Sequence, residues 1–128
     1  ELSQEILGDE VYLFNDQIVM KMPNDNLEFP SHYDNQFGPN KNQGIHTINV
    51  SWILDDITKE NGSLEVKNTD NGKWVTPVLK RGDVLVIGGN TLHRSYRNKS
   101  SDVRGLYACV YADAPITLDG FYRERFIK

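Results

Sequence analysis

Residues 46–54, HTINVSWIL, form a short segment rich in β-branched and aromatic side chains, which is typical of a β-strand. Its apolar side chains occupy alternate positions and so share one face: Ile48, Val50, Trp52 and Leu54. His46 and Asn49 do not sort as cleanly onto the other face. The pattern predicts a strand with one face in the core and the other lining a cavity.

Five more segments along the chain have the same strand character. They are DQIVMKM (16–22), SLEVK (63–67), WVTPVL (74–79), DVLVIG (83–88) and RGLYACVYA (104–112). The sequences between them are built on Gly, Asn, Asp and Pro, which favour turns. Helical periodicity is weak and predicts only a turn or two at ELSQEIL (1–7) and FYRERF (121–126). Short strands joined by turns predict an all-β sandwich or barrel.

Length and composition fit one small globular domain. The chain has 128 residues, of which 38% are hydrophobic and 25% are charged. It contains no apolar run of about 18 residues, and its acidic, polar start does not resemble a signal peptide. We therefore expect a soluble, cytoplasmic protein without a membrane partner.

Charge and cysteine content argue against further classes of protein. The net charge is −4, and Lys and Arg are scattered through the chain, so we expect no nucleic-acid partner. Cys109 is the only cysteine, so one chain can form neither an internal disulfide nor a thiolate-cluster zinc site. Its apolar neighbours in LYACVYA (106–112) predict a small buried side chain.

SHYDNQFG (31–38) places His32 and Asp34 one residue apart in a stretch that proline and glycine mark as a turn or loop. A third ligand on another strand would complete a metal site. His93 is the candidate, because it stands just past a Gly-Gly turn that follows an apolar strand. Two histidines and one carboxylate on one face of an iron leave open positions opposite, which is the facial triad of non-haem Fe(II) oxygenases.

Arg104 and Ser95 lie 11 residues and two residues beyond His93, and Arg104 begins the last long predicted strand. If the strands of His93 and Arg104 are neighbours, both side chains can point into one barrel mouth. A guanidinium there would bind a carboxylate in a bidentate fork, and Ser95 would add a hydroxyl donor. This pattern predicts a site for a diacid beside a metal.

Four quoted segments together resemble the phytanoyl-CoA dioxygenase family of Fe(II)- and 2-oxoglutarate-dependent oxygenases, which have a double-stranded β-helix (jelly-roll) fold. They are HYD (32–34), VSWILDDITKENGSLEV (50–66), KRGDVLVIGGNTLHRSYRNKS (80–100) and VRGLY (103–107). The resemblance covers roughly residues 8–115. It implies a dioxygenase that uses O₂ to hydroxylate an unactivated C–H bond of a small molecule and releases succinate and CO₂.

The resemblance also implies roles for single residues. His32, Asp34 and His93 match the iron ligands, and Arg104 and Ser95 match the positions that bind the far carboxylate of 2-oxoglutarate. Candidate contacts in the cosubstrate pocket are the following: Trp52, Lys21 and Tyr33. Because Asp34 is a carboxylate, where related halogenases carry a small residue that admits chloride, hydroxylation is the implied reaction.

Family members usually carry upstream helices that back one sheet, and here we expect that region to be absent or reduced to residues 1–10. We expect residues 1–128 to form a single oxygenase-type domain, a fragment without those helices. Either a homo-oligomer or a missing segment is expected to cover its exposed sheet. Residues 35–45 and 67–73 are expected to rim the mouth of the site, and their Asn, Gln and Lys content favours a polar substrate.

Ordinary structural readings stay open for each residue. His32 and Asp34 can form an exposed loop pair, His93 can be a core histidine, and Arg104 can pair with an acid at a strand edge. Trp52 can be a core aromatic and Lys21 a solvated charge.

Two other functions also remain: a cupin-like metal- or sugar-binding β-barrel without oxygenase activity, and a zinc hydrolase on the same three ligands. The hydrolase leaves Arg104 and Ser95 without a role.

Overall fold

Two four-stranded antiparallel sheets face each other in the structure, a computed structural model that describes residues 1–36, 44–118 and 121–122. The elements, in chain order, are α1 (Leu2–Leu7), β1 (Tyr12–Lys21), β2 (Phe29–His32), a 3-10 turn (Asp34–Gln36), β3 (Thr47–Ile53), β4 (Leu64–Lys67), β5 (Trp74–Val75), β6 (Val84–Gly88), β7 (His93–Ser95), β8 (Arg104–Ala112), β9 (Thr117–Leu118) and β10 (Phe121–Tyr122).

The chain crosses repeatedly between the sheets, which is the topology of a jelly roll. The first sheet has the strand order β1-β8-β3-β6 and the second has the order β2-β7-β4-β5. Strands that are distant in sequence therefore lie side by side, such as β1 beside β8 and β2 beside β7. The all-β, double-stranded β-helix fold predicted from the sequence is confirmed.

The inner faces of both sheets enclose an apolar core and, beside it, a cavity. The core cluster consists of Ile53, Ile57, Leu79, Leu106 and Ala108, with Val19 and Leu85 packed against it. Leu106, Ala108 and Val19 also line the cavity, so the core forms its floor. Because side chains alternate along a strand, each inner-face residue of β8 is two positions from the next.

The apolar face of β3 is the outer face of the first sheet, not the inner one. Its inner face carries the polar residues Asn49 and Ser51, which line the cavity as the incomplete alternation predicted. On the outer face Ile48 and Val50 are buried, whereas Trp52 is 37% exposed and Leu54 is 39% exposed. Helix α1 lies against β3. The prediction of an apolar core face therefore holds for only half of the strand.

Several element bounds differ from the prediction. The predicted strand 74–79 is only β5, because Pro77 has no N–H to donate to a ladder. Strand β2 was not predicted, since it is short and contains Pro30, which an edge strand tolerates. ELSQEIL does form helix α1. Of FYRERF, Phe121–Tyr122 form β10, and residues 123–126 lie outside the described part.

Within residues 1–36, 44–118 and 121–122, no helix has the length and hydropathy of a membrane span.

Candidate metal centre and anion site

His32, Asp34 and His93 meet at the mouth of the cavity. His32 ends β2 and His93 begins β7, and the two residues are direct partners in the antiparallel ladder, with ring centroids 4.3 Å apart. The 3-10 turn that follows β2 brings Asp34 back toward both rings. Asp34 Oδ1 lies 3.4 Å from His32 Nε2 and 3.5 Å from His93 Nε2. One potential ligand atom from each residue lies within 4.8 Å of the others, and no second group of this kind occurs among the described residues.

Backbone carbonyls orient both imidazoles. His32 Nδ1 lies 2.7 Å from Pro30 O, and His93 Nδ1 lies 2.9 Å from Thr91 O. A carbonyl oxygen can only accept, so each Nδ1 is the nitrogen that donates a proton. A neutral ring in this orientation presents the lone pair of its Nε2 toward Asp34. Two imidazole nitrogens and one carboxylate oxygen that converge in this way suit Fe(II) or another divalent metal.

The 3-10 turn that carries Asp34 is anchored to two other parts of the fold. Asn35 N donates to Gly89 O at 3.0 Å, and Thr47 Oγ1 donates to Asn35 Oδ1 at 2.6 Å. Gly89 is required at this contact, since a Cβ there would lie 2.0 Å from Thr47 Oγ1 and 2.5 Å from Asn35 Oδ1. The glycine pair before His93 therefore lets the β6–β7 connection touch the turn that carries Asp34.

Two buried cations lie at the other end of the cavity. Lys21 and Arg104 are direct partners on β1 and β8, and their exposed fractions are 0% and 1%. Arg104 Nη2 donates to Gly62 O, and within the described residues Arg104 Nε has no hydrogen-bond partner. Two adjacent positive charges and an unpaired buried donor are unfavourable in isolation and favour a bound anion. Ser95 and Arg104 line the same cavity as the three metal-ligand candidates.

The pKa values of both cations reflect their burial. Burial, and secondly the charge of Arg104, lowers the pKa of Lys21 to about 8, although Glu28 and Asp25 raise it. Burial lowers the pKa of Arg104 to about 10, against the raising effect of Asp55. Arg104 therefore stays charged at neutral pH, and Lys21 is poised to titrate just above it.

Ser95 links Lys21 to the cavity. Lys21 Nζ donates to Ser95 Oγ at 2.8 Å and also to Tyr96 O. Because Ser95 Oγ accepts from the ammonium, its own hydroxyl proton can point to another acceptor. Lys21 is not itself among the residues that line the cavity. It supports the site from behind Ser95, whereas Arg104 reaches the cavity directly.

Trp52 and Tyr33 are not brought to the cavity. Trp52 occupies an outward position of β3, where its ring stacks on Tyr107 with centroids 5.7 Å apart. The neighbouring position, Ser51, points inward and lines the cavity instead. Tyr33 lies between the two ligand candidates with 42% of its surface exposed and does not line the cavity. Strand alternation, not distance along the chain, separates Trp52 from the site.

Three residues of the site were not singled out in the sequence. Asn49 and Ser51 line the cavity, and Gly62 offers its carbonyl to Arg104. The polar positions between the apolar ones of β3 were the available signal for the first two. Gly62 has a φ of 95°, and a Cβ there would lie 2.6 Å from Tyr96 O, so only glycine fits beside the anion site.

The predicted rim is only partly described. Of the segment 35–45, residues 37–43 lie outside the described part of the chain. In the segment 67–73, Lys67 ends β4 and the other residues form the connection to β5. None of its residues lines the cavity that contains the metal-ligand candidates. Asn68 lines a different, more apolar cavity beside β6.

Residues 1–68 and 64–106 match the model of the phytanoyl-CoA dioxygenase (PhyH) family. The chain belongs to this family. L-proline trans-4-hydroxylase from Streptomyces griseoviridis is 33% identical to this chain over 67 aligned residues. The aligned part is 51% of this chain and 25% of the hydroxylase. The PhyH membership agrees with the fold and with the order of the four motifs.

Solved structures share the fold of this PhyH chain. AviO1 from Streptomyces viridochromogenes Tue57 is 26% identical, with a TM-score of 0.73 over 91% of this chain and 57% of AviO1. EvdO2 from Micromonospora carbonacea var. aurantiaca, crystallised with 2-oxoglutarate, is 19% identical, with a TM-score of 0.76 over 92% of this chain and 59% of EvdO2. The latter likeness concerns the fold alone. This chain thus spans little more than half the length of these two proteins.

Proposed function

We propose that this chain carries the catalytic site of an Fe(II)- and 2-oxoglutarate-dependent dioxygenase that hydroxylates a small molecule. One observation carries the proposal: a converging His, Asp and His group shares a cavity with a buried guanidinium that has an unpaired donor. The first group suits a divalent metal and the second suits a carboxylate. A ligand that has both a chelating end and a carboxylate end matches such a cavity.

His32, Asp34 and His93 would hold the iron, with the two Nε2 atoms and one carboxylate oxygen as ligands. Arg104 would bind the far carboxylate of 2-oxoglutarate, the Ser95 hydroxyl would donate to it, and Lys21 would supply a second charge. When bound, the iron and its cosubstrate provide the oxidising chemistry, in which O₂ and 2-oxoglutarate are consumed and succinate and CO₂ are released. The chain's own residues orient the cosubstrate and exclude water from the cavity.

Anaerobic titration of Fe(II) and 2-oxoglutarate into the purified chain tests this proposal. We expect a weak visible charge-transfer band that appears only when both are present. His93→Ala should abolish the band. His46→Ala is the matched control, because His46 is an exposed histidine paired with Asp113 and belongs to no metal-binding group of the described residues.

Two outcomes of that titration contradict the proposal. Folded protein that binds Fe(II) but shows no band and no 2-oxoglutarate binding would favour the cupin-like metal-binding barrel. Protein that prefers Zn(II) and hydrolyses a substrate without 2-oxoglutarate would favour the zinc hydrolase. Neither alternative assigns a role to the buried pair of Lys21 and Arg104.

The pKa of Lys21 leads to a pH prediction. A bound carboxylate favours the charged ammonium, so 2-oxoglutarate should bind best when Lys21 is protonated. Since the pKa of Lys21 is about 8, the affinity should fall by up to about tenfold between about pH 7 and about pH 9. Calorimetric titration with 2-oxoglutarate across this range measures the effect.

Lys21→Met removes the titrating group while keeping a long, unbranched side chain. It should bind 2-oxoglutarate more weakly than the wild type at neutral pH and lose the pH dependence of that affinity.

The same group predicts how stability changes with pH. In the ligand-free wild type the pKa of Lys21 is lowered on folding, so the unfolded chain binds more protons than the folded chain between about pH 8 and pH 10.5. Stability relative to Lys21→Met should therefore rise with pH over that window, opposite to affinity. Equal pH profiles for both proteins would contradict the prediction.

The small-molecule substrate is proposed to be polar. Gln17 and Asn49 line the cavity as uncharged polar side chains. The hydroxylase that is similar to 67 residues of this chain acts, by its name, on L-proline. Substrate-dependent succinate release from a panel of amino acids and other polar metabolites, with apolar acids as the comparison, tests this choice. Preference for the apolar members would overturn it.

We also propose that residues 1–128 form one cytoplasmic domain and that a second copy covers the outer face of the first sheet. A row of apolar side chains crosses all four strands there in direct register: Ile18, Tyr107, Trp52 and Val84. Ile18 is 63% exposed and Val84 is 45% exposed. A twofold contact can pair this row with itself. Sedimentation should show a dimer that Ile18→Glu dissociates; a monomer at every concentration would contradict it.

A further inference from the structure

The two oxygens of the Asp34 carboxylate have different surroundings. Oδ1 is the atom that faces both histidine Nε2 atoms, at 3.4 and 3.5 Å. Oδ2 accepts a hydrogen bond from Asn49 Nδ2 at 3.3 Å. Asn49 lies on the inner face of β3, a strand that contributes none of the three ligand candidates. The carboxylate is therefore held from the side opposite the histidines.

Ser51 sets the orientation of the Asn49 amide. Its hydroxyl donates to Asn49 Oδ1 at 2.9 Å, and Ser51 is 6% exposed. An amide whose oxygen accepts from Ser51 must direct its NH₂ group the other way, toward Asp34. Ser51 and Asn49 are two positions apart and so share the inner face. The result is a chain of donors that runs from Ser51 through Asn49 to Asp34.

The number of carboxylate oxygens that bind the metal decides how many of its coordination positions remain open to other ligands. Two histidine nitrogens and one oxygen leave three of six octahedral positions open, whereas a two-oxygen carboxylate leaves two. Chelation by 2-oxoglutarate takes two positions, and O₂ needs one more. The proposed function, on which this inference rests, requires all three open positions.

We propose that Asn49, oriented by Ser51, is a positioning residue that keeps Asp34 a one-oxygen ligand. The hydrogen bond engages Oδ2 and turns it away from the metal position, so that only Oδ1 faces the histidines. Asn49 thereby protects the coordination position that a swinging carboxylate would otherwise occupy. Its role is exerted on Asp34 and needs no contact with the substrate.

Crystal structures of the Mn(II)-loaded chain and of Asn49→Ala test the proposal directly. We expect one short oxygen-to-metal distance for Asp34 in the wild type and two in the variant. In solution, Asn49→Ala should keep its Mn(II) affinity within about threefold and lose about tenfold in 2-oxoglutarate affinity. A merely structural defect would weaken both affinities together. Ser51→Ala should shift 2-oxoglutarate affinity in the same direction by a smaller factor.

Asn71→Ala is the matched control, because Asn71 is exposed in the β4–β5 connection and does not line the cavity. Two short oxygen-to-metal distances already present in the wild type, or an Asn49→Ala variant with one short distance and unchanged 2-oxoglutarate affinity, would overturn the inference. Failure of the wild type to bind metal or 2-oxoglutarate would instead overturn the proposed function, so the two failures are distinguishable.

Discussion

Asp34→Ala should lower metal affinity by on the order of a thousandfold and remove all turnover, because it deletes the one anionic ligand candidate of the group. The two histidines that remain supply no negative charge, since an imidazole nitrogen binds a metal as a neutral donor. Calorimetric titration with Mn(II) measures the affinity. The rise in melting temperature that saturating Mn(II) causes in the wild type should also be lost.

The metal-free proteins provide the control for folding. Since the Asp34 side chain is a surface-accessible group at the cavity mouth, the apo forms of the wild type and of Asp34→Ala should differ in stability by no more than about 1 kcal/mol. Asp70→Ala removes an exposed aspartate from the β4–β5 connection and should leave metal binding unchanged. Retention of wild-type metal affinity by Asp34→Ala would refute the triad.

Arg104→Ala should raise the dissociation constant for 2-oxoglutarate by on the order of a hundredfold, with metal affinity close to that of the wild type. Arg104 is 1% exposed, and its unpaired Nε offers a carboxylate a buried, charge-assisted donor. Calorimetry with 2-oxoglutarate in the presence of Mn(II) separates the two affinities.

Two variants guard against a trivial loss of folding at this buried position. Arg104→Met keeps much of the side-chain volume, and Arg104→Lys keeps the charge but not the planar fork, so it should bind 2-oxoglutarate with intermediate affinity. Arg81→Ala is the surface control, since that side chain is exposed. If Arg104→Met binds metal and keeps wild-type affinity for 2-oxoglutarate, the carboxylate assignment is wrong.

Strand positions were predictable wherever β-branched and aromatic residues form an uninterrupted run. The predicted segment 104–112 coincides with β8, and 46–54 contains β3. Strands β2 and β7 have four and three residues and no apolar pattern, so local sequence could not reveal them. They are strands because they pair with each other beside β4, which is a long-range effect.

Some residues of the site could be predicted from the sequence better than others. The spacing of His32, Asp34 and His93 made the group worth proposing, and the structure brings these residues together, while their role as iron ligands stays a prediction. Trp52 was misplaced by one position, because the pattern of β3 does not say which face looks inward when the outer face is also apolar.

The sequence by itself determined the fold class, the family, and the residue types capable of binding a metal and a carboxylate. The fold class and the residue types follow from local chemistry: strand propensity, turn residues, and ligand atoms at fixed spacings along the chain. The family follows from the resemblance of the four motifs. The tertiary structure alone decided which side chains share the cavity. Lys21 meets Arg104, and Asn49 meets Asp34, because antiparallel pairing and the jelly-roll crossings bring distant residues into contact. Sequence separation carries no information about such contacts. The first depends on strand pairing within one sheet, and the second arises only when both sheets close over one interior.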